Sequence, residues 1–198
     1  AGVPISAIVF GGRRAKVAPL VYQSFDWEHG VFVGATMASE TTAAATGAVG
    51  VVRRDPMAMR PFCGYNMGEY FQHWLDMGKK IPNPPKIFNV NWFRVDENGK
   101  FIWPGFGDNL RVLLWILARC NGEVEAVESP IGYLPKTEDI DLEGTSITKE
   151  VLAELLSIDK ESWMQEVEDQ KAHLAQFEKL PAELQAQYDA LAARIAAM

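Results

Sequence analysis

Two arginines follow a pair of glycines directly after a short apolar run. Gly11 and Gly12 permit left-handed backbone and close backbone approach. The guanidinium groups of Arg13 and Arg14 can each bind two phosphate oxygens. The preceding run, Ile5–Phe10, is typical of a buried strand, and ligands of α/β sheets gather where such strands end. The pattern indicates a phosphate site, and its alternative is a plain turn whose arginines face solvent.

Six aromatic side chains lie within nineteen residues, about three times the share expected from the chain's aromatic content of 11%: Phe88, Trp92, Phe93, Phe101, Trp103 and Phe106. Because successive strand residues point to opposite faces, one sheet face can bury only part of this set. The remaining rings could sandwich a planar base, with stacking worth about 1–3 kcal/mol per base. Asn109 offers both a donor and an acceptor to a base edge. The alternative is an aromatic core hairpin, in which Phe88 and Trp103 would be buried.

Small residues dominate the segment 38–50, in which only Glu40 and Val49 are not Ala, Ser, Thr or Gly. Such a composition suits a mobile lid that closes over a ligand and excludes water. Closure must offset an ordering cost of about 1–2 kcal/mol per residue. The alternatives are a surface loop or a short Ala-rich helix at Ala43–Ala45.

Several familiar catalytic motifs are missing from the sequence. It has no G-x-x-x-x-G-K-(S/T), no G-x-G-x-x-G, no H-E-x-x-H and no C-x-x-C. His29 has no second histidine nearby and is interpreted as structural. Cys63 has no adjacent base and is interpreted as a small apolar filler. No metal ligands are predicted in this chain.

Short strands and helices must position these residues. The turn Asp96–Gly99 predicts a hairpin between strands Ile87–Arg94 and Lys100–Trp103. Further strands are predicted at Pro19–Tyr22 and Val31–Gly34. Helices are predicted at Gly68–Met77 and Leu110–Cys120, the second beginning at Asp108 or Asn109 and ending near Gly122. Strands interleaved with helices predict a mixed α/β (α+β) fold.

The C-terminal 63 residues are predicted to be helical and to lie on the outside of the fold. Apolar stripes recur at helical spacing: Trp163, Val167, Leu174 and Phe177, and then Leu184, Tyr188, Leu191, Ile195 and Met198. Pro181 suits a first helical position. Residues 136–198 carry 6 basic and 14 acidic side chains, a net charge of −8. We therefore expect amphipathic helices that expose their acids.

Composition limits the class of protein. The chain has 198 residues, 48% hydrophobic and 23% charged, as in ordinary globular proteins. Residues 1–135 carry 13 basic and 12 acidic side chains, so a nucleic-acid partner is not expected, although a local anion pocket is compatible. No apolar run is long enough to span a bilayer, and the N-terminus lacks the basic region of a signal peptide. Two cysteines favour a reducing compartment. The absence of an initial methionine suggests a piece of a longer protein.

Seven stretches resemble, in order and spacing, the C-terminal part of GTP-dependent phosphoenolpyruvate carboxykinases. They are Ile8–Arg14, Trp27–Ala35, Ser39–Ala45, Asp55–Phe62, Gly64–Asn66, Asn91–Arg94 and Trp103–Gly107. The register holds from Gly2 to about Pro135, and the helical tail with Glu166–Asp169 fits more loosely. The resemblance implies one nucleotide-binding domain over residues 1–198, with a mixed core at 1–135 and an acidic helical tail at 136–198.

The resemblance also implies an activity and its residues. The family converts oxaloacetate and GTP reversibly to phosphoenolpyruvate, GDP and CO2, in gluconeogenesis or anaplerosis. Arg13 resembles the arginine that contacts the nucleotide phosphates and is the implied catalytic residue. The implied GTP-binding set is Arg13, Trp92, Phe93, Phe101, Phe106, Gly107, Asp108 and Asn109. The implied Ω-loop lid is Ser39, Glu40, Thr41, Thr42, Ala43, Ala44, Ala45 and Thr46.

Other parts of such an enzyme would lie outside this chain. The family's P-loop, reactive cysteine, ligands of Mn²⁺ and Mg²⁺, and oxaloacetate-binding arginines are all upstream, so we expect the isolated chain to be inactive and to need the N-terminal portion. Two positions depart from the family: Asp108 is often Glu, and Ala38 is often Arg. The resemblance further implies a cytoplasmic monomer without a nucleic-acid or membrane partner. The alternatives are an isolated, non-catalytic purine-nucleotide-binding module, or a piece that binds nothing tightly alone.

Overall fold

The computed structural model of the chain describes residues 2–42 and 48–198. Strands and helices alternate along the described chain as the sequence predicted. The strands are β1 (Ala7–Gly11), β2 (Val21–Gln23), β3 (Ala38–Glu40), β4 (Val52–Arg54), β5 (Lys86–Val90), β6 (Val127–Ser129) and β7 (Gly132–Leu134). The helices are α1 (Trp27–Ala35), α2 (Met67–Lys80), α3 (Asn109–Asn121), α4 (Lys149–Leu155), α5 (Lys160–Leu174) and α6 (Ala182–Ala196). Short 3₁₀ turns lie at Pro56–Ala58 and Thr137–Asp139.

Five strands form one mixed sheet in the order β1-β5-β2-β7-β6. β1 and β5 are parallel, and their last residues, Gly11 and Val90, are partners in the register. The other pairs in this sheet are antiparallel. β3 and β4 form a separate antiparallel pair. The prediction of a mixed α/β fold is confirmed, and two parallel strands end side by side at one edge.

Helices cover both faces of the five-stranded sheet. Buried side chains of α1, α2, α5 and α6 form one core cluster, and α3 and α4 form the other with Leu20, Val21, Phe88 and Val90. On β5 the side chains alternate between these faces. Phe88 and Val90 belong to the α3 side, whereas Ile87 lies against Gly30 of α1. A Cβ at Gly30 would collide with the Ile87 side chain, so this glycine sets the helix-to-sheet distance.

The strand predicted at Val31–Gly34 is wrong, because these residues lie in α1. The helix begins where the Asp26 carboxylate accepts a hydrogen bond from the backbone N–H of His29 at 2.8 Å. All residues from His29 to Ala35 are buried. A short apolar run buried on every side has no polar face to reveal its period, so its pattern fits a strand and a helix equally well.

The helices predicted at Gly68–Met77 and Leu110–Cys120 are confirmed as α2 and α3. α3 begins after Asp108, although its side chain makes no capping bond to the helix. It ends at Gly122, whose φ of 72° is the left-handed conformation expected of a C-terminal glycine.

The aromatic hairpin is shorter than predicted. β5 ends at Val90 rather than Arg94, and beyond it only an isolated bridge joins Val95 to Phe101. The turn itself is tight: Oδ1 of Asp96 accepts from the backbone N–H groups of Asn98 and Lys100, each at 2.9 Å. The Lys100–Trp103 segment is therefore irregular rather than a full strand.

The tail is helical as predicted. Its stripes are buried at Trp163, Val167 and Leu174 on α5, and at Leu184, Tyr188, Leu191 and Ile195 on α6. Two details differ: Pro181 lies one residue before α6, and Met198 is 45% exposed. Glu166 is also an exception to the expected exposure of acids, because it is buried. Within the described residues, none of the helices has the length and hydropathy needed to cross a bilayer.

Candidate functional site

The carboxyl ends of β1 and β5 bring two predicted segments together. The turn Gly11–Arg14, here called the arginine turn, follows β1, and Asn91 follows β5. The Asn91 amide, 1% exposed, accepts from the backbone N–H of Arg14 at 3.2 Å and donates to the carbonyls of Arg14 and Ala18 at 2.9 Å. It also accepts from the N–H of Phe93 at 3.2 Å. Asn91 therefore locks the arginine turn to the start of the aromatic segment.

Arg13 lies between the aromatic segment and β3. Its guanidinium carbon is 4.7 Å from the centroid of the Phe93 ring, a cation–π contact. Its backbone N–H donates to Oγ of Ser39 at 3.1 Å. A Cβ at Gly12 would collide with the carbonyl oxygen of Ala38, so the close approach predicted for the double glycine is confirmed. The charge of Arg13 is thus held beside both candidate ligand-binding segments.

Five predicted residues line one cleft of about 510 Å³: Trp92, Phe93, Phe101, Phe106 and Asn109. We call it the aromatic cleft. The rings of Phe93 and Phe101 meet edge to face, with centroids 5.8 Å apart. Arg13 covers one face of Phe93, and the strongly exposed rings of the cleft are Phe101 and Phe106, at 56% and 98%. An exposed phenyl ring gains by covering its faces, so the cleft is suited to a planar ligand.

Some aromatic rings of this segment are packed in or against the core and offer no fully free face to the cleft. Phe88 is fully buried and Trp103 is 1% exposed, as the core alternative required of these two rings. Trp92 is half-buried against the same core cluster. The cleft is therefore a core hairpin on its inner side and an open aromatic surface on its outer side.

The side chain of Asn109 is oriented by Trp103. The indole N–H donates to Oδ1 of Asn109 at 2.9 Å. An indole nitrogen can only donate, so the oxygen of the Asn109 amide must face Trp103 and its NH₂ group remains free to donate elsewhere.

Gly107 and Asp108 lie at the margin of the cleft rather than in its lining. The Asp108 carboxylate is 2.9 Å from Nε of Arg111, within α3. Gly107 is exposed and lines a neighbouring hollow along α3. Their predicted contact with a nucleotide stays a prediction.

The predicted lid, Ser39–Thr46, begins on β3. Ser39 and Glu40 lie in β3. Thr41 continues the pairing: its N–H donates to the carbonyl of Val51, and its carbonyl accepts from Gly50, each at 2.9 Å. The next residue, Thr42, is half-buried. The remaining lid residues, Ala43, Ala44, Ala45 and Thr46, lie outside the described residues.

Arg14 differs from Arg13, although both follow the double glycine. It is 7% exposed and donates to Glu166 of α5 at 2.7 Å. Glu166 also accepts from Arg54 of β4 at 2.8 Å. Burial by itself would raise the pKa of Glu166, but the hydrogen bond from Arg14 and the charges of both arginines outweigh burial and hold that pKa below its usual value. Arg14 is thus committed inside the protein, whereas Arg13, the other arginine of the turn, is half-buried beside the aromatic cleft.

Sequence reasoning missed Asn91 as an organiser, and Arg54 and Glu166 as partners of Arg14. Asn91 occurred in a matched stretch, and its place directly after a buried strand was a usable signal. Glu166 gave no such signal, because its partner Arg14 is 152 residues away along the chain.

His29 and Cys63 have structural roles, as predicted. Nδ1 of His29 accepts from the backbone N–H of Phe25 at 3.0 Å, and burial lowers the pKa of His29 to about 3. Cys63 packs against the first core cluster. Among residues 2–42 and 48–198, no three His, Cys, Asp or Glu side chains are grouped so as to hold a metal ion. The described residues therefore do not fit a Mn²⁺ or Mg²⁺ centre.

The fold and the cleft define a class of protein: a mixed α/β domain with an aromatic cleft beside an arginine turn at the ends of two parallel strands. The chain belongs to the family described as phosphoenolpyruvate carboxykinase C-terminal P-loop domain, whose sequence profile matches residues 1–194. Its relatives include proteins named phosphoenolpyruvate carboxykinase (GTP). That of Anaeromyxobacter dehalogenans strain 2CP-C is 56% identical over 99% of this chain and 33% of its own length. Those of Thermoplasma volcanium and Corynebacterium glutamicum are 53% and 52% identical over 95% and 99% of this chain, and 32% and 33% of their own lengths. The chain spans about one third of the length of these relatives.

Proposed function

We propose that the chain is the nucleotide-binding part of a GTP-dependent phosphoenolpyruvate carboxykinase, a carboxy-lyase that converts oxaloacetate and GTP to phosphoenolpyruvate, GDP and CO2. The observation that carries the proposal is the contact between Arg13 and Phe93, at 4.7 Å. One ring joins a fixed positive charge to an aromatic cleft, so a base and its phosphates can be bound side by side. The names of the relatives supply the reaction.

The aromatic cleft holds the guanine in this proposal. Phe101 and Phe106 stack on its faces, and the NH₂ group of Asn109 donates to its edge. Guanine presents the acceptor O6 at the position where adenine presents an amino group, which is a donor. A free NH₂ group fixed by the Trp103 hydrogen bond therefore favours guanine over adenine.

Arg13 acts on the phosphates. Phosphoryl transfer needs positioning and charge neutralisation more than covalent chemistry from the protein. The backbone of Arg13 is held by its hydrogen bond to Ser39, and its guanidinium lies over the Phe93 ring. Its charge therefore needs little reorganisation when charge develops on the transferred group. The lid, Ser39–Thr46, closes over the site and keeps water from the enolate that decarboxylation leaves.

The rest of the enzyme covers a face of α3 in this proposal. Four leucines at helical spacing are 39–58% exposed on that helix: Leu110, Leu113, Leu114 and Leu117. An apolar stripe of this kind marks an interaction surface. Because the relatives are about three times as long as this chain, the partner we propose is the N-terminal portion of the same enzyme.

The remaining components belong to the same proposal. The N-terminal portion supplies the oxaloacetate site and the ligands of Mn²⁺ and Mg²⁺. The free thiols of Cys63 and Cys120 suit the reducing conditions of the cytoplasm, where we place the enzyme as a monomer.

The test measures phosphoenolpyruvate formed from oxaloacetate and GTP by the full-length protein, with Phe106→Ala compared with wild type. Loss of one stacking ring worth about 1–3 kcal/mol should raise the KM for GTP about 5- to 150-fold and change kcat little. Phe62→Ala is the matched control, because Phe62 is 77% exposed and does not line the cleft.

Three outcomes are informative. A raised KM in Phe106→Ala alone supports the proposal. Wild-type KM values in both variants mean that the base binds elsewhere. A full-length protein that binds GDP, as seen by fluorescence of Trp92, but forms no phosphoenolpyruvate is instead a purine-nucleotide-binding module without catalysis.

A further inference from the structure

A small cavity lies inside the fold, between helix α5 and the five-stranded sheet. Its volume is about 40 Å³. Residues of the arginine turn, β2, β5, α1 and α5 contribute to its lining. A water molecule needs about 10–15 Å³ of such space, so the cavity has room for about three. We call it the internal cavity.

Three side chains of α5 line the internal cavity: Trp163, Glu166 and Gln170. Their spacing of three and four residues places them on one face of the helix, and each is at most 5% exposed. Within the described part of the chain, Nε1 of Trp163 and Oε1 of Gln170 have no hydrogen-bond partner. An indole nitrogen can only donate and an amide oxygen can only accept, so a donor and an acceptor are both unmatched here.

Arg14 brings a second unmatched donor to the internal cavity. Its Nη2 donates to Glu166 at 2.7 Å, but its buried Nε has no hydrogen-bond partner among residues 2–42 and 48–198. Oε1 of Glu40 is 3.6 Å from that nitrogen, which is too long for a hydrogen bond. Direct contacts between the described residues therefore leave two donors and one acceptor of the lining unsatisfied.

The hydroxyl group of Tyr22 can both donate and accept. Tyr22 lines the internal cavity and is 8% exposed. Burial raises the pKa of the hydroxyl, and the charge of Glu166 raises it further, so the proton stays on the oxygen at neutral pH. The lining thus includes a group that adapts to whichever hydrogen bond a ligand leaves open.

The mixture of donors and an acceptor determines which ligand fits. A buried water molecule makes about two to four hydrogen bonds and can accept and donate at once, so it suits all of these groups. A halide ion could accept from Trp163 and Arg14, but it cannot donate to Gln170, and the Glu166 carboxylate would repel it. A metal cation would face two N–H donors and the charge of Arg14. Because buried polar groups without partners are costly, occupation by water is favoured.

We propose that the internal cavity is a water-binding site, in which ordered water molecules accept from Trp163 and Arg14 and donate to Gln170. This water links α5 to the arginine turn through the interior of the protein. None of these residues lines the aromatic cleft, so the proposal does not depend on the function proposed above.

The first test is a crystal structure of the full-length protein at a resolution that shows ordered water. We expect electron density for water at about 2.7–3.2 Å from each of Trp163 Nε1, Arg14 Nε and Gln170 Oε1. A second crystal, grown with bromide in place of chloride, separates water from a halide, because bromide gives an anomalous signal that water lacks. No anomalous peak is expected in the internal cavity.

Gln170→Met removes the acceptor and nearly keeps the volume of the side chain. We expect the density at this position to be lost, whereas the water at Trp163 and Arg14 remains. Gln165→Met is the matched control, because Gln165 is an exposed glutamine of the same helix. Its replacement should leave the density in the internal cavity unchanged.

Magnetisation transfer from water tests the site in solution. In the full-length protein labelled with ¹⁵N-tryptophan, the indole N–H of Trp163 is the signal that disappears in Trp163→Phe. We expect a nuclear Overhauser effect between this N–H and water in wild type and in Gln165→Met.

An internal cavity without water density would overturn the proposal. An anomalous bromide peak in the cavity, or a direct hydrogen bond from Trp163 to Gln170, would overturn it as well. Unchanged density in Gln170→Met would refute the role of Gln170 as the acceptor. If Gln170→Met does not fold, the density in the wild-type protein decides.

Discussion

At the scale of single residues, one hydrogen bond determines what Asn109 can offer a base. The Trp103 indole occupies Oδ1 of Asn109, so the NH₂ group is the part left for a ligand. In Asn109→Asp the carboxylate keeps an acceptor for Trp103 and removes that donor. We expect the ratio of kcat/KM for GTP to that for ATP to fall about 5- to 150-fold, since one base-edge contact is worth about 1–3 kcal/mol. Steady-state kinetics with both nucleotides measures it.

Asn109→Ala is the informative companion to this variant. It removes the donor and also leaves the buried Trp103 N–H without an acceptor, which costs about 1–3 kcal/mol of stability. Only the alanine variant should therefore unfold at a lower temperature. An unchanged GTP-to-ATP preference in Asn109→Asp would mean that the amide does not read the base.

Sequence distance decided which site residues could be predicted. Phe93, Phe101, Phe106 and Asn109 lie within one short segment, so their clustering in a cleft could be predicted from local spacing. The burial of Arg14 could not, because it depends on Glu166, which sits among exposed acids in the helical tail. Charge and spacing identify candidate groups, whereas tertiary contacts decide which of two adjacent arginines remains available.

At the scale of elements, the arginine turn and β3 approach each other more closely than any side chain allows. A methyl group at Gly12 would meet the Ala38 carbonyl, which belongs to rigid backbone. We expect Gly12→Ala to push the arginine turn and β3 apart, lowering stability by about 1–3 kcal/mol. It should also lower kcat more than it changes the KM for GTP, because Arg13 moves and the aromatic cleft does not.

Gly64→Ala provides the control for this prediction. A Cβ at Gly64 meets nothing within 4 Å, so this substitution should leave thermal unfolding and kinetics unchanged. Equal stability of Gly12→Ala and Gly64→Ala in urea titrations would show that the arginine turn and β3 can move apart without loss of free energy of unfolding.

The elements that could be predicted are those with a clear period or a clear end signal. α2 and α3 have amphipathic spacing, and Gly122 ends α3 as its conformation requires. α1 was mistaken for a strand because it is buried on all sides. β5 stopped at Val90, four residues early, and the side chain of the next residue, Asn91, binds the backbone of the arginine turn.

At the scale of the whole molecule, the acidic tail supports both halves of the site. α5 reaches the arginine turn through Glu166. α4 is bound by Arg94, just after the cleft residues Trp92 and Phe93, which donates to the carbonyls of Glu154 at 2.8 Å and Leu155 at 3.2 Å. These are carbonyls at a helix C-terminus, which need donors from outside the helix. One acid of the tail, Glu166, is therefore structural. The tail helices α4 and α5 help to position the residues of the site.

Two buried histidines make the stability of the fold depend on pH. Burial lowers the pKa of His29 to about 3 and that of His173 to about 4, although the contact of His173 with the Ala35 carbonyl acts in the opposite direction. In the unfolded chain both titrate near 6.5. Between pH 6.5 and the lower pKa values of the folded state, the unfolded chain binds protons that the folded chain excludes. The contribution of the two histidines to the free energy of unfolding is therefore fully present above pH 6.5 and is lost as the pH falls.

We therefore expect the free energy of unfolding to fall between pH 7.5 and pH 5, by about 2 kcal/mol for each of the two histidines. Urea titrations at both pH values measure the loss. His173→Gln can still donate to the Ala35 carbonyl but cannot take up a proton, so its loss should be about 2 kcal/mol smaller than that of wild type. His73→Gln, at the exposed third histidine, should behave as wild type. If wild type and His173→Gln lost equal stability, burial would not hold the imidazole of His173 neutral. Its packing between α5 and the end of α1 would then have to be more open to water than its 3% exposure indicates.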